Sequence, residues 1–274
     1  MEEFSAKVIG RALTTRRLGR PILFYTRTGS TNTVAREQAE AGAPEGLLVV
    51  ADEQTAGRGR LDRSWWAPPG SSLLFSLLLR PPLPPGQAAQ LTMCLGLAAA
   101  EGVEEVTGLR PALKWPNDLL LDGRKLAGIL AELGTAGDRL EYAVLGLGLN
   151  VNVTFSGGEL AHTAISLQMA LGRPVARVPL LAAILARCEA WYERLLAPQA
   201  GSSTGESPHT AWTARLDTLG RQVTVMTPDG PLHGTAVGVS PEGALLVRRE
   251  NGVVCTVWAG DVITGLGPSL PVVL

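Results

Sequence analysis

The residues best able to do chemistry sit in a few short segments. Gly57-Arg58-Gly59-Arg60 follows an apolar run; its glycines let backbone N–H groups approach a ligand, and its guanidiniums can donate charge-assisted hydrogen bonds to carboxylate or phosphate. Gln54 lies three residues before this loop, with Arg63, Trp65 and Trp66 just after it, and large aromatics beside a basic loop suit stacking on a planar ring. By itself such a loop could equally be a solvated surface turn, and one of the two tryptophans is expected to pack structurally.

Lys114-Trp115-Pro116-Asn117-Asp118 gathers a cation, an amide and a carboxylate around a proline that stiffens the turn. Such a set can position a nucleotide, a Mg²⁺ ion and a substrate carboxylate together, although Lys114 and Asp118 could be an ordinary ion pair and Trp115 alone would be core. Lys125 opens the strand-like run ending at Glu132, where a cation can face developing negative charge. Gly146-Leu147-Gly148-Leu149-Asn150 closes a long apolar strand; its glycines are expected to clear space for a ligand, with Asn150 at the tip. This is not a dinucleotide fingerprint, because no helix-opening GxGxxG follows the first strand.

The elements that must hold these residues follow from periodicity. Strands are expected at Ile22 to Tyr25, Leu47 to Ala51, Ser71 to Leu79, Leu119 to Leu121, Lys125 to Leu133 and Tyr142 to Leu149. Ser30, Thr31 and Asn32 supply N-cap chemistry for a helix over Thr33 to Ala41, and further helices fit Gln87 to Val106, Thr163 to Leu171 and Val178 to Leu196. Ala200 to Pro208 is small, polar and linker-like. From Gly220 onward, Val-rich strands alternate with turns at Pro228-Asp229-Gly230, Pro241-Glu242-Gly243 and Asn251-Gly252, the pattern of a small β-barrel.

The whole chain bounds what those segments can be. With 274 residues, 46% of them apolar, one large domain and a small companion can be built. The formal net charge of -1 argues against a chain organised around nucleic-acid phosphates, and residues before the first strand are too few for a winged helix-turn-helix. The first twenty residues lack an apolar signal region and no run of eighteen apolar residues occurs, so a soluble, cytoplasmic protein without membrane or DNA contacts is expected. Cys94, Cys188 and Cys255 lie far apart in apolar surroundings and read as packing residues.

Taken together and in order, STN at Ser30 to Asn32, QTAGRGR at Gln54 to Arg60, KWPND at Lys114 to Asp118, KLAGILAE at Lys125 to Glu132 and GLGLN at Gly146 to Asn150 resemble biotin protein ligases. The resemblance runs from about Leu18 to the end. It implies an α+β fold: a mixed β-sheet catalytic domain flanked by helices, of the class II synthetase-like kind, plus a C-terminal SH3-like β-barrel. Residues 1–218 would form the first domain, with 1–20 a short helical extension, and 219–274 the second.

By the same resemblance, Ser30, Thr31, Asn32 and Gln54 would line a biotin pocket, with Gly57, Arg58, Gly59, Arg60, Lys125 and Gly128 completing it. Arg58, Arg60, Trp65, Lys114, Asn117 and Asn150 would face ATP. Lys125, Arg60, Arg63 and Asp118 would act in catalysis. Mg²⁺ would arrive on ATP, with Asp118 its potential protein ligand. The family commonly has glycine where this chain has Asp62, which implies a stiffer, less basic loop.

The implied reaction makes biotinyl-5'-AMP and passes biotin to a lysine of a biotin carboxyl carrier domain of acetyl-CoA carboxylase or a related enzyme. The protein needs no covalent nucleophile for this; it must hold two anions in line and stabilise charge at phosphorus. Rival readings are a lipoate or octanoate ligase or transferase of the same fold, a biotin-responsive regulator, and a binding module without catalysis. The resemblance is compatible with a monomer or with a homodimer joined edge to edge through the central sheet, and a homodimer is expected.

Overall fold

A computed structural model describes residues 3–61, 63–197, 205–227 and 230–264. Asp62, most of the expected linker and the Pro228-Asp229 pair lie outside the described residues. The larger sheet has seven strands: β1 (Ile22–Thr28), β2 (Leu48–Gln54), β3 (Ser72–Leu79), β4 (Ala112–Lys114), β5 (Asp118–Leu121), β6 (Arg124–Ala136) and β7 (Arg139–Asn150). Their spatial order is β1-β2-β3-β7-β6-β5-β4, with β1 and β2 parallel and every other pair antiparallel.

The central strand β3 is buried along its whole length, as a largely apolar run, interrupted by Ser76 and bounded by Gly70 and Pro81, should be. Side chains alternate across the sheet. Leu73, Phe75, Leu77 and Leu79 join the main core formed with two long helices, α3 (Ala89–Thr107) and α6 (Arg177–Leu196). Ser72, Leu74, Ser76 and Leu78 therefore take the other face, where α2 (Thr31–Glu40) packs and a second apolar cluster holds Leu78 with Ala35, Ala39 and Val144. That second face carries the site. Two cross-strand rows run over it: Leu74, Gly148, Gly128 and Asp118, and beside it Ser76, Gly146 and Leu130.

The basic N-terminal stretch forms one short helix, α1 (Ala6–Ala12), and the chain after it is held by a buried carboxylate. Glu189 on α6 accepts backbone N–H bonds from Arg16 (2.8 Å), Arg17 (2.7 Å) and Leu18 (2.9 Å). Burial by itself would raise the Glu189 carboxyl, but these three donors and Arg17 bring it below its ordinary value. The cysteines are all free; Cys94 and Cys188 are buried, and burial pushes the Cys188 thiol up to about 12.

Two sequence expectations change. The helix expected over Thr163 to Leu171 is two pieces, α4 (Leu160–Thr163) and α5 (Leu167–Leu171), because Ala164 and Ser166 turn extended and Ser166 caps α5 through the Met169 N–H. Strand β4 and helix α7 (Pro208–Ala214) were not anticipated. Among the described residues, no helix is long and apolar enough to cross a membrane.

The C-terminal sheet has five antiparallel strands, β8 (Gln222–Thr227), β9 (Gly230–Val239), β10 (Leu245–Arg248), β11 (Val254–Val257) and β12 (Asp261–Thr264), in the order β11-β10-β9-β8-β12. It is fastened behind the KWPND segment: the buried Trp115 indole N–H donates to Gly243 O at 2.9 Å, and just before the small sheet Asp217 N donates to Leu113 O at 2.8 Å while Leu113 N donates to Arg215 O at 3.1 Å. Trp115 is thus core, and specifically the core of the domain junction.

Candidate functional site

A cleft with a cavity volume of about 120 Å³ opens on the α2 side of the large sheet. The first residues of α2, the end of β2, the GRGR loop, β5, β6, β7 and β12 all contribute to it.

One end is built of neutral polar groups. Ser30 caps α2 by position, and Thr31 and Asn32 occupy its first turn facing the sheet. Gln54 Oε1 accepts from the Thr31 N–H at 2.7 Å and lies 3.0 Å from Thr31 Oγ1. Ser76 Oγ, on the same face of β3, lies 2.8 Å from Thr31 Oγ1 and 2.6 Å from Asn32 Oδ1. Asn32 Nδ2 donates to Leu130 O at 3.2 Å and to Glu132 Oε2 at 2.8 Å, and Arg58 closes the group on both Glu132 oxygens at 2.8 and 3.0 Å. Buried polar groups fixed this completely keep one geometry.

The other end is ionic. Lys125 Nζ stands 2.8 Å from Asp118 Oδ1 and 5.8 Å from the centre of the Trp65 ring. Arg60 reaches Asn117 Oδ1 at 3.3 Å, and Asn117 Nδ2 donates to Ile129 O at 2.5 Å. Arg63 pairs with Asp261 of β12. Burial draws the Arg60 guanidinium and the Lys114 ammonium below their ordinary values, while Asp118 and Asp261 pull both back up. Lys125 lies close enough to press Lys114 further down. The result is a cluster of cations with fewer carboxylates, suited to an incoming anion.

The described residues of the GRGR loop form a small hairpin folded over the cleft. Trp65 N donates to Gly57 O at 2.9 Å, Gly59 N to Arg63 O at 2.6 Å and Arg63 N to Arg60 O at 3.2 Å. The buried Gly57 allows this closure, since a Cβ there would run into Trp65 O. Trp65 enters the cleft and its buried indole Nε1 has no hydrogen-bond partner, whereas Trp66 is exposed, 6.5 Å from the Phe155 ring. Neither tryptophan is core.

Three expectations need correction. The glycines of GLGLN line the cleft but also clear space for protein side chains: a Cβ on Gly146 would overlap Asn32 Oδ1, and one on Gly148 would lie 2.5 Å from Trp65 Cε2. Asn150 is buried behind the cleft, with Nδ2 donating to Lys125 O at 3.4 Å and Ile165 O at 3.2 Å, so it holds the backbone of Lys125. Lys114 and Gly57 also stand behind the lining residues, while Ser30, Thr31, Asn32, Gln54, Arg58, Gly59, Arg60, Arg63, Trp65, Asn117, Asp118, Lys125 and Gly128 all line it. Sequence reading missed Ser76, Glu132 as a partner, and Asp261. Only Ser76 left a signal, a hydroxyl interrupting an apolar strand.

A mixed seven-stranded sheet with a basic glycine-containing loop folded over one face, joined to a small antiparallel sheet, defines a class that the sequence also matches. Residues 24–150 match the Biotin/lipoate A/B protein ligase family, and residues 218–265 match the Biotin protein ligase C terminal domain. The chain is 34% identical over 266 residues to the bifunctional ligase/repressor BirA of Bacillus subtilis, covering 96% of this chain and 80% of that one. It is 36% identical over 248 residues to the biotin--[acetyl-CoA-carboxylase] ligase of Mycobacterium tuberculosis, covering 86% of each. Its fold matches the biotin protein ligase of Aquifex aeolicus solved with biotin and ATP, with a TM-score of 0.73 and 27% identity, over 90% of this chain and 99% of that one. The chain belongs to the biotin protein ligase family.

Proposed function

We propose that this chain activates biotin with ATP to biotinyl-5'-AMP and then transfers biotin to a specific lysine of a biotin carboxyl carrier domain. The observation that carries the reading is the polarity of the cleft: a neutral hydrogen-bonding end at Ser30, Thr31, Asn32 and Gln54, and a cationic end at Lys125, Arg60 and Arg63. Biotin has that polarity, with a neutral ureido ring at one end and a carboxylate at the other. The ureido group meets the first end and the carboxylate meets Lys125 next to the α-phosphate of ATP.

Attack of a carboxylate oxygen on the α-phosphorus forms the mixed anhydride and releases pyrophosphate. Lys125 and Arg60 offset the charge that grows on the phosphoryl oxygens, and Trp65, with its unpartnered buried N–H, gives the adenylate a flat surface and a donor. Asp118, paired with Lys125 at 2.8 Å, is the carboxylate that would hold a Mg²⁺ ion accompanying ATP, and the ion would supply charge neutralisation for the phosphates. A neutral acceptor lysine then attacks the anhydride carbonyl and AMP leaves. The hairpin keeps water from that carbonyl. Residues 1–218 form the unit that does this chemistry and 219–274 the companion domain. The protein acts in the cytoplasm without a DNA-binding role, as a homodimer paired through sheet edges.

The experiment is to incubate the protein with biotin, MgATP and a carboxyl carrier domain of acetyl-CoA carboxylase, and to read the carrier by mass spectrometry. A gain of one biotin on a single lysine is the expected result; lipoyl or octanoyl transfer in its place would overturn the reading.

A further inference from the structure

The loop that covers the cleft is fastened from two sides. Its first arginine, Arg58, is held by Glu132 of the large sheet, but Arg63 near its end is held by Asp261, which belongs to the C-terminal sheet. Asp261 opens β12 and lies opposite Met226 of β8, so its position is set by the small domain's own ladder. The residue before it is fixed as well: a Cβ on Gly260 would lie 2.7 Å from Met226 O, so the backbone passes too close for any larger residue. Asp261 lines the same cleft as Lys125 and Asp118, and its charge acts on both Arg60 and Lys114.

We propose that Asp261 is a positioning residue of the reaction: by holding Arg63, it lets the C-terminal domain clamp the hairpin over the cleft and retain the adenylate until the acceptor arrives. This rests on the ligase reading above and adds to it a task for the small domain. Arg63 is largely exposed, so the pair is screened and exchangeable. A clamp of that strength slows opening of the hairpin only a few-fold and yields to an arriving acceptor domain.

The test compares, in the full-length chain, escape of labelled biotinyl-adenylate into solution without acceptor, divided by the rate of biotin-dependent pyrophosphate exchange. Asp261→Asn should raise this ratio about two- to fivefold, the scale of one exposed ion pair. Asp261→Glu, which keeps the carboxylate, should stay within about twofold of wild type, and Glu250→Gln, an exposed charge elsewhere in the same domain, should not move it. An unchanged ratio in Asp261→Asn, or an equal rise in Asp261→Glu, would overturn the clamp. Absence of biotin-dependent exchange in wild-type protein would instead sink the ligase reading beneath it.

Discussion

The two ends of the cleft are built on opposite principles. At the α2 end, Thr31, Asn32, Gln54 and Ser76 are bonded to one another, so a neutral ring meets a geometry that already exists. At the loop end, Lys125 and Arg63 are each held by a carboxylate of the protein, and Arg60 by an amide. A substrate anion there must displace those partners. On the proposed reading, the first end supplies shape selectivity, and the second exchanges internal ion pairs for substrate charge and is where catalysis is concentrated.

Breaking the ionic end should have the largest effect. Lys125→Ala is expected to lower biotin-dependent pyrophosphate exchange at least about a hundredfold, about 3 kcal/mol of transition-state stabilisation, while biotin binding measured by calorimetry stays within a few-fold. Equal loss of both would make Lys125 a structural residue and dissolve the contrast.

Next comes the shape of the neutral end. Gly146→Val would push into Asn32 and should weaken biotin binding by about 2 kcal/mol, with less effect on ATP affinity. Equal weakening of both would show that the two ends are not separable.

Glu189 sharpens the comparison from outside the cleft, as a carboxylate held by backbone amides that no substrate can displace. Glu189→Gln should lower folding stability by about 2 kcal/mol in urea titrations at neutral pH and leave exchange by the folded protein unchanged. Because the folded Glu189 titrates below its ordinary value of 4.5, its stabilisation is present above that pH and is lost as the pH falls through the lower, folded value. The gap between wild type and variant should therefore close in acid, and a gap that widened there would contradict the assigned role.

The smallest expected effect is Ser76→Ala, about 1 kcal/mol in biotin affinity through loosened Thr31 and Asn32. No change in the calorimetric Kd would mean that these two side chains are fixed by Gln54 and Glu132 alone.

Most of the sheet and the greater part of the lining were legible in the sequence because each motif sits on a strand or a helix start with its own local signature. Asn117 and Asp118 were readable together within KWPND, whereas the short antiparallel turn that brings Lys125 to them emerges only in the structure. The partners of the loop were not legible. Arg58 to Glu132 spans 74 residues and Arg63 to Asp261 spans 198, and no periodicity reports which carboxylate a surface arginine will meet. Gly146 and Gly148 show a different limit. A sequence shows that space is needed above a strand, but whether a ligand, Asn32 or Trp65 fills it depends on how α2 and the hairpin pack.

The most direct measurement is exchange of labelled pyrophosphate into ATP with biotin, lipoate or octanoate as the sole carboxylic acid. A neutral hydrogen-bonding end joined to a cationic one predicts exchange with biotin and none with the two acids that lack a ureido ring. Exchange supported by lipoate or octanoate at a comparable rate would contradict the central claim that the α2 end selects the ring.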